Sequence, residues 1–334
     1  MPRKPPSGST SPEPPDKPPQ PLESEAAPPS APKEEHADVK KAPPIVELFS
    51  LEPAKATDQQ LADIVRRQVQ LHLEGTGISA KYNLLFVFDK DSITRSDANR
   101  IYTAVSKADK GKPILLLLSS RGGDIAAAYF IAKLCREYTR EAFEVVLPRE
   151  AKSAATLICC GADRIHMGSL SELGPIDPQF GGVPALALKY SVEHLAQLAK
   201  DYPAASTMFS DYLSKSLRVE ALGHYERVAE SATHYAMRLL NARVRVPPDP
   251  EGNTRLARRL VYAYKDHGFV IDSREATDIF GSEVVASNTP EYQTANDLFG
   301  SLDLAAWVCG SKFSRNFSYT GDVQSGCWVF AKSE

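Results

Sequence analysis

Short apolar strands alternating with helices across glycine-rich turns predict an α/β fold with a parallel sheet and a largely helical second half. Three observations carry that expectation. Ile114 to Leu118 is a continuous apolar run, as a strand buried on both faces requires. Strand–helix pairs repeat from Asn83 through Leu173, the pattern of crossovers that lay strands side by side in parallel. From Ala185 to Arg243 the strand pattern stops and helical spacing takes over.

Residues 1–45 hold 14 of the 25 prolines, mixed with Ser, Glu, Lys and Ala. Such a stretch cannot bury enough apolar surface to offset chain entropy, so it reads as a disordered, solvated tail. Its apolar residues are too sparse for a signal-peptide core. A folded domain is expected over 46–288, followed by an extension at 289–334 to which no role is assigned.

Gln59 to Glu74 reads as a helix with Leu61, Ile64, Val65, Val69 and Leu73 on one side. Asn83 to Asp89 reads as a strand and Thr94 to Ala108 as a helix. The strand at Ile114 breaks at Ser119-Ser120-Arg121-Gly122-Gly123, and Asp124 can cap the helix that follows from Ile125 to Leu134. Glycine frees that turn from the Cβ penalty and lets backbone N–H groups approach a ligand closely. Such groups at a helix start are natural donors to an oxyanion.

A second unit repeats the plan, with a strand at Phe143 to Leu147 and an apolar helix at Ala154 to Cys160. Ser153 stands at the junction, where a helix N-terminus favours developing negative charge and its hydroxyl can serve as a nucleophile. Alone, a serine there is usually a cap and a Gly-Gly pair an ordinary turn. Two such turns followed by the Gly174-Pro175 turn are more specific to acyl transfer.

Tyr225 to Asn241 is the clearest helix of the second half, and Pro247-Pro248-Asp249-Pro250 breaks the chain after it. Ser273 to Phe280 reads as a capped helix ended by Gly281. Beyond it, Leu298 to Trp307 suits a helix, and Phe317 to Tyr319 and Trp328 to Ala331 suit two short strands around Gly321-Asp322.

The formal charge of −3 over 334 residues demands no nucleic-acid partner. No run of 18 apolar residues exists, so no membrane span is expected. The five cysteines are unpaired in number and lack metal-type spacing, and Cys159-Cys160 reads as core, which suits a reducing, cytoplasmic compartment. Phosphate-cradling glycine loops and zinc-type histidine pairs are missing from the sequence, so no cofactor is expected.

The blocks SSRGGDIAAAYFIAKL, AKSAATLICCGADRIHMG and SELGPIDPQFGG resemble the SDH-type (serine dehydrogenase proteinase) Clp-fold serine proteinases across roughly residues 83–183. Signal peptide peptidase A and the Clp proteolytic subunit look like more distant relatives. The resemblance implies a Clp/crotonase-like spiral of ββα units and a serine peptidase acting on a peptide or protein, with Ser153 as nucleophile. It assigns the oxyanion hole to the amides of Gly123 and Ala154, and the substrate cleft to Gly122 and Asp177. The Gly174-Pro175-Ile176-Asp177 turn falls near where the Clp proteolytic subunit carries its histidine base, but this block holds no histidine.

A lysine kept neutral by burial, as in the signal peptide peptidase branch, is therefore the expected base. Lys215, between Tyr212 and Ser216, is favoured, then Lys189 with its apolar flank, with Lys200 also considered. Lys152 adjoins the serine and is expected to point elsewhere, His166 to be packed in a strand, and Asp177 to shape its turn or meet a neighbouring subunit. The helical arm implies a homo-oligomer. Two rival readings are a catalytically silent Clp-fold scaffold that binds peptides and a crotonase-type acyl-CoA enzyme.

Overall fold

Residues 42–332 are described by a computed structural model, apart from positions 178, 181–182, 185–186 and 217–218 and the side chains at 178–189, 216–222 and 225. Residues 1–41, nearly all of the proline-rich stretch, lie outside the described residues.

The described chain opens with α1 (Glu47–Ser50), α2 (Asp58–Leu73) and α3 (Ile78–Lys81). Alternation follows: β1 (Asn83–Asp89), α4 (Arg95–Val105), β2 (Ile114–Ser119), α5 (Ile125–Glu137), β3 (Phe143–Val146), β4 (Glu150–Ala151), α6 (Ala154–Cys160), β5 (Arg164–Met167) and β6 (Glu172–Leu173). Two short strands, β7 (Gln179–Phe180) and β8 (Val183–Pro184), lead into α7 (Ala187–Asp201), α8 (Ser206–Ser216), α9 (Val219–Asn241), α10 (Pro250–Tyr262) and α11 (Ser273–Phe280). The chain closes with β9 (Val285–Ser287), α12 (Pro290–Lys312), β10 (Arg315–Asp322) and β11 (Cys327–Ala331).

Caps in the sequence set several boundaries. Thr57 and Gln60 form a reciprocal capping box for α2, and Thr94 and Asp97 do the same for α4. Asp124 accepts the Ala126 and Ala127 N–H groups at the start of α5. The expected proline break ends as a helix start, with Asp249 as cap and Pro250 in the first turn of α10.

A seven-stranded sheet in the order β11-β10-β1-β2-β3-β5-β9 forms the centre. The pairs from β1 to β9 are parallel, while β10 lies antiparallel to β1 and β11 antiparallel to β10. Side-chain alternation along β1 sorts the two layers. Leu85 and Val87 join a core under α4, α5, α6, α9 and α10. Phe86 and Phe88 join a second core with α2 and α12.

The region after residue 288 is integral to this architecture. Its helix runs from Pro290 to Lys312, longer than the Leu298–Trp307 expectation, capped by Thr289 with a proline in the first turn. Phe317 and Tyr319 of β10 then complete the second core. Among the described residues, no helix is long and apolar enough to cross a membrane.

Candidate active site

The chain leaving β2 runs alongside β4: Ser120 N–H donates to Glu150 O at 3.0 Å and Lys152 N–H to Ser120 O at 3.0 Å. The Gly-Gly turn follows. Gly122 has φ +108° and Gly123 φ +143°, conformations side chains rarely adopt. A Cβ on Gly123 would lie 2.4 Å from Ile93 O and 2.5 Å from Ile93 N. A Cβ on Gly122 would lie 2.8 Å from Lys152 O and 2.9 Å from Ser153 Cβ. Ile93 fixes the turn by donating to Gly122 O at 2.7 Å and accepting from Asp124 N–H at 2.8 Å. Gly122 N–H is taken by Ser120 Oγ at 3.1 Å.

Ser153 sits at the junction of β4 and α6 with φ 52° and ψ −119°. A non-glycine residue held there stores roughly 1–3 kcal/mol, a cost typical of sites whose geometry is over-determined by their surroundings. The conformation lifts the side chain out of the helix line, as a nucleophile on a strand-to-helix elbow requires. Ser153 is half-buried and its hydroxyl caps nothing.

Two backbone donors remain. Among the described residues, neither the Gly123 nor the Ala154 N–H has an acceptor. The place a Gly122 Cβ would occupy is 3.1 Å from Ala154 N, so the glycine turn and the start of α6 are in contact beside Ser153. Unsatisfied N–H groups flanking a serine at a helix N-terminus can stabilise the oxyanion of a tetrahedral intermediate.

The segment after β6 is bound against this elbow. Gly174 N–H donates to Ala151 O at 3.1 Å, and the Thr156 hydroxyl lies 2.6 Å from Ala151 O and 2.8 Å from Gly174 O. Asp177, at the end of that segment, is 2% exposed. Its Oδ1 is 2.6 Å from His267 Nδ1. The hydrogen bond to the Asp177 carboxylate raises the His267 pKa above its ordinary value, against the opposing effect of burial. His267 reaches this place because Leu173 and Ile271 pair antiparallel, each donating to the other at 2.9 and 3.0 Å.

Sequence reasoning missed His267. The residue lies 90 positions beyond Asp177 in a short Asp-His-Gly turn, and nothing local marks it. The sequence places Asp177 in the cleft and expects it to shape its turn or meet a neighbouring subunit, not to partner a histidine.

The lysine candidates are placed differently from one another. Lys215 is exposed on α8. Lys200 is exposed at the end of α7. Lys189 lies in the first turn of α7, and its side chain is outside the described residues. Lys152 is buried and turns away to pair with Glu172 at 2.9 Å. His166 is packed in β5 between Glu144 and Thr289, 2.8 Å from each. All five cysteines are buried and free, and Cys159 and Cys160, the last residues of α6, lie in the core.

Residues 58–217 match the sequence profile of the ClpP-like SDH-type serine proteinases. The mixed α/β architecture with its parallel-rich sheet is the ClpP-like one that the resemblance implies. Two uncharacterized proteins of Methanocaldococcus jannaschii are similar to this chain. One is 41% identical over 101 residues, covering 30% of this chain and 35% of that protein. The other is 33% identical over 96 residues, covering 29% and 32%. The chain thus spans about a third of the length of these relatives. Among solved structures, a serine-to-alanine mutant of the 1510-N membrane-bound stomatin-specific protease aligns at 15% identity and TM-score 0.38, over 66% of this chain and 85% of that one. ClpP1 from Listeria monocytogenes aligns at 13% identity and TM-score 0.38, over 63% and 94%.

Proposed function

We propose, from the likeness of residues 58–217 to the ClpP-like SDH-type serine proteinases, that this protein is a peptidase acting through an acyl-enzyme on Ser153. The observation that carries the reading is the strained serine elbow flanked by two unengaged N–H groups. Ser153 Oγ attacks the scissile carbonyl carbon, and the Gly123 and Ala154 amides hold the oxyanion. His267 serves as the base in place of the lysine expected from sequence. With Nδ1–H donating to Asp177, its Nε2 is left to take the serine proton. The same nitrogen returns that proton to the leaving amine as the tetrahedral intermediate collapses. Water then attacks the acyl-enzyme by the same route and releases the second peptide fragment.

The proposal includes a peptide or protein substrate bound along the Gly122–Gly123 turn, a cytoplasmic location and self-association. Exposed Tyr202, Met208 and Tyr212 on the helical arm favour self-association, since each is more than 60% exposed.

Labelling by a fluorophosphonate probe tests the chemistry. Wild type is expected to label, and Ser153→Ala and His267→Ala to lose labelling while staying folded. Labelling that persists in Ser153→Ala, or an inert wild type that still binds peptides, would replace this reading with a peptide-binding scaffold.

A further inference from the structure

Lys152 stands immediately before Ser153, and its buried side chain reaches Gly174, Glu172 and Phe269. Its stem passes beneath Gly174, where a Cβ would lie 2.5 Å from Lys152 Cδ. The ammonium ends 2.9 Å from Glu172 Oε1 and 3.4 Å from Phe269 O. Among the described residues, Phe269 O has no other donor. The Lys152 main chain is fixed as well: its N–H donates to Ser120 O and its carbonyl accepts Ala155 N–H at 2.9 Å.

The residue is 9% exposed. A buried ammonium costs desolvation that an apolar side chain of the same length would avoid, and it is tolerated only when paired. Its two acceptors belong to the two segments that deliver Asp177 and His267. Glu172 opens the segment that leads through Gly174 to Asp177, and Phe269 lies in the segment that contains His267. These segments also meet each other at Leu173 and Ile271. Lys152 is the side chain that joins both to the elbow.

We propose that Lys152 is a positioning residue, whose ammonium straps the Glu172–Asp177 and Lys265–Ile271 segments to the Ser153 elbow and so sets the Asp177–His267 pair against the nucleophile. The inference rests on the Ser153, Asp177 and His267 assignment above. Lys152 neither accepts the serine proton nor touches the scissile bond. It reduces the motion of the base relative to the nucleophile, a misplacement that costs about 100-fold in rate per ångström.

The test uses the full chain with Lys152→Met, which keeps the stem and removes the charge, and Glu172→Gln, which guards against a folding defect at Lys152. Two quantities are read: the inactivation rate constant and KI for a fluorophosphonate, and hydrogen–deuterium exchange of residues 265–271. Lys152→Met is expected to slow inactivation by about 10- to 100-fold with KI nearly unchanged, and exchange at 265–271 to quicken while β2 stays protected. Glu172→Gln is expected to move both in the same direction by less. Wild-type exchange at 265–271 in both variants overturns the strap, whatever happens to labelling. An unlabelled wild type with quickened exchange in the variants upholds the strap and overturns the nucleophile assignment instead.

Discussion

His267 Nδ1 lies 2.6 Å from the carboxylate of Asp177, which is 2% exposed, and under the proposed mechanism this contact sets the pH at which Ser153 reacts. Donation to the Asp177 carboxylate raises the His267 pKa above 6.5. Only the neutral imidazole can take a proton from Ser153, so reactivity is lost as pH falls through that raised value. A folded-state pKa above the unfolded one also means that the pair stabilises the fold below about pH 6.5, and that this contribution disappears as pH rises through the folded value. Labelling rate against pH should therefore show an acid limb with a midpoint above 6.5. Asp177→Asn should bring the midpoint back toward about 6.5 and slow labelling by up to about 10,000-fold, through loss of the correct tautomer. An unmoved midpoint in Asp177→Asn would remove His267 from the mechanism.

Ser153 trades stability for placement. At φ 52° and ψ −119° the serine sits where glycine is comfortable and other residues are not. Ser153→Gly should therefore raise stability by about 1 kcal/mol even after the added freedom of its unfolded chain is counted, and abolish labelling. Denaturant unfolding of the two proteins checks the sign. A destabilised glycine variant would mean that the serine side chain makes contacts worth more than the strain.

The parts of the site that lie within one strand–turn–helix unit were legible in the sequence. The apolar β2 run, the Gly122-Gly123 turn, the Asp124 cap and the Ser153 junction are local patterns, each set by residues within a few positions. The parts that depend on long-range pairing were not. His267 meets Asp177 only because Ile271 pairs with Leu173, a register that no short window contains. The lysine expectation looked to the helical arm, where Lys215 is exposed, and no short window there points to the Asp177–His267 contact. The role of residues 290–331 was hidden for the same reason. An antiparallel strand closing a parallel sheet has no marker beyond its own alternation, and β10 declares its partner only in three dimensions.

The glycine turn gives a sharper test of the oxyanion assignment than deletion of the serine. Gly123→Ala places a methyl 2.4 Å from Ile93 O, a backbone atom with no freedom to withdraw, and does so at φ +143°. The turn must shift, and the Gly123 N–H with it. Loss of one such donor costs about 100- to 1,000-fold in acylation. The inactivation rate constant should fall by that order, with the helical content by circular dichroism retained. Wild-type reactivity in a folded Gly123→Ala protein would place the oxyanion elsewhere.

Lys215→Ala should leave the labelling rate within about twofold of wild type, as expected for an exposed side chain if His267 is the base. Measured on the same preparation as His267→Ala, the comparison decides between the two bases directly. A lysine variant that loses labelling while the histidine variant keeps it would restore the Ser–Lys reading and imply that a partner subunit buries α8.

Truncation after Phe313 tests whether the C-terminal strands are part of the folding unit. β10 pairs with β1 over Leu85 to Asp89, and Tyr319 packs tilted against Phe86 with ring centroids 4.8 Å apart. Without β10 and β11, the β1 edge would present unpaired N–H and C=O groups, and Phe86 and Phe88 would lose part of their cover. Uncovering the buried Phe317 and Tyr319 contacts costs on the order of 3 kcal/mol for each aromatic, against a total stability of about 5–15 kcal/mol for a domain. An exposed apolar edge strand also templates aggregation. The truncated protein should therefore be recovered largely in the insoluble fraction, whereas deletion of residues 1–41 should leave solubility and the thermal midpoint unchanged. A soluble, cooperatively unfolding protein ending at Phe313 would show instead that the first five parallel strands, with the helices around them, carry the fold alone.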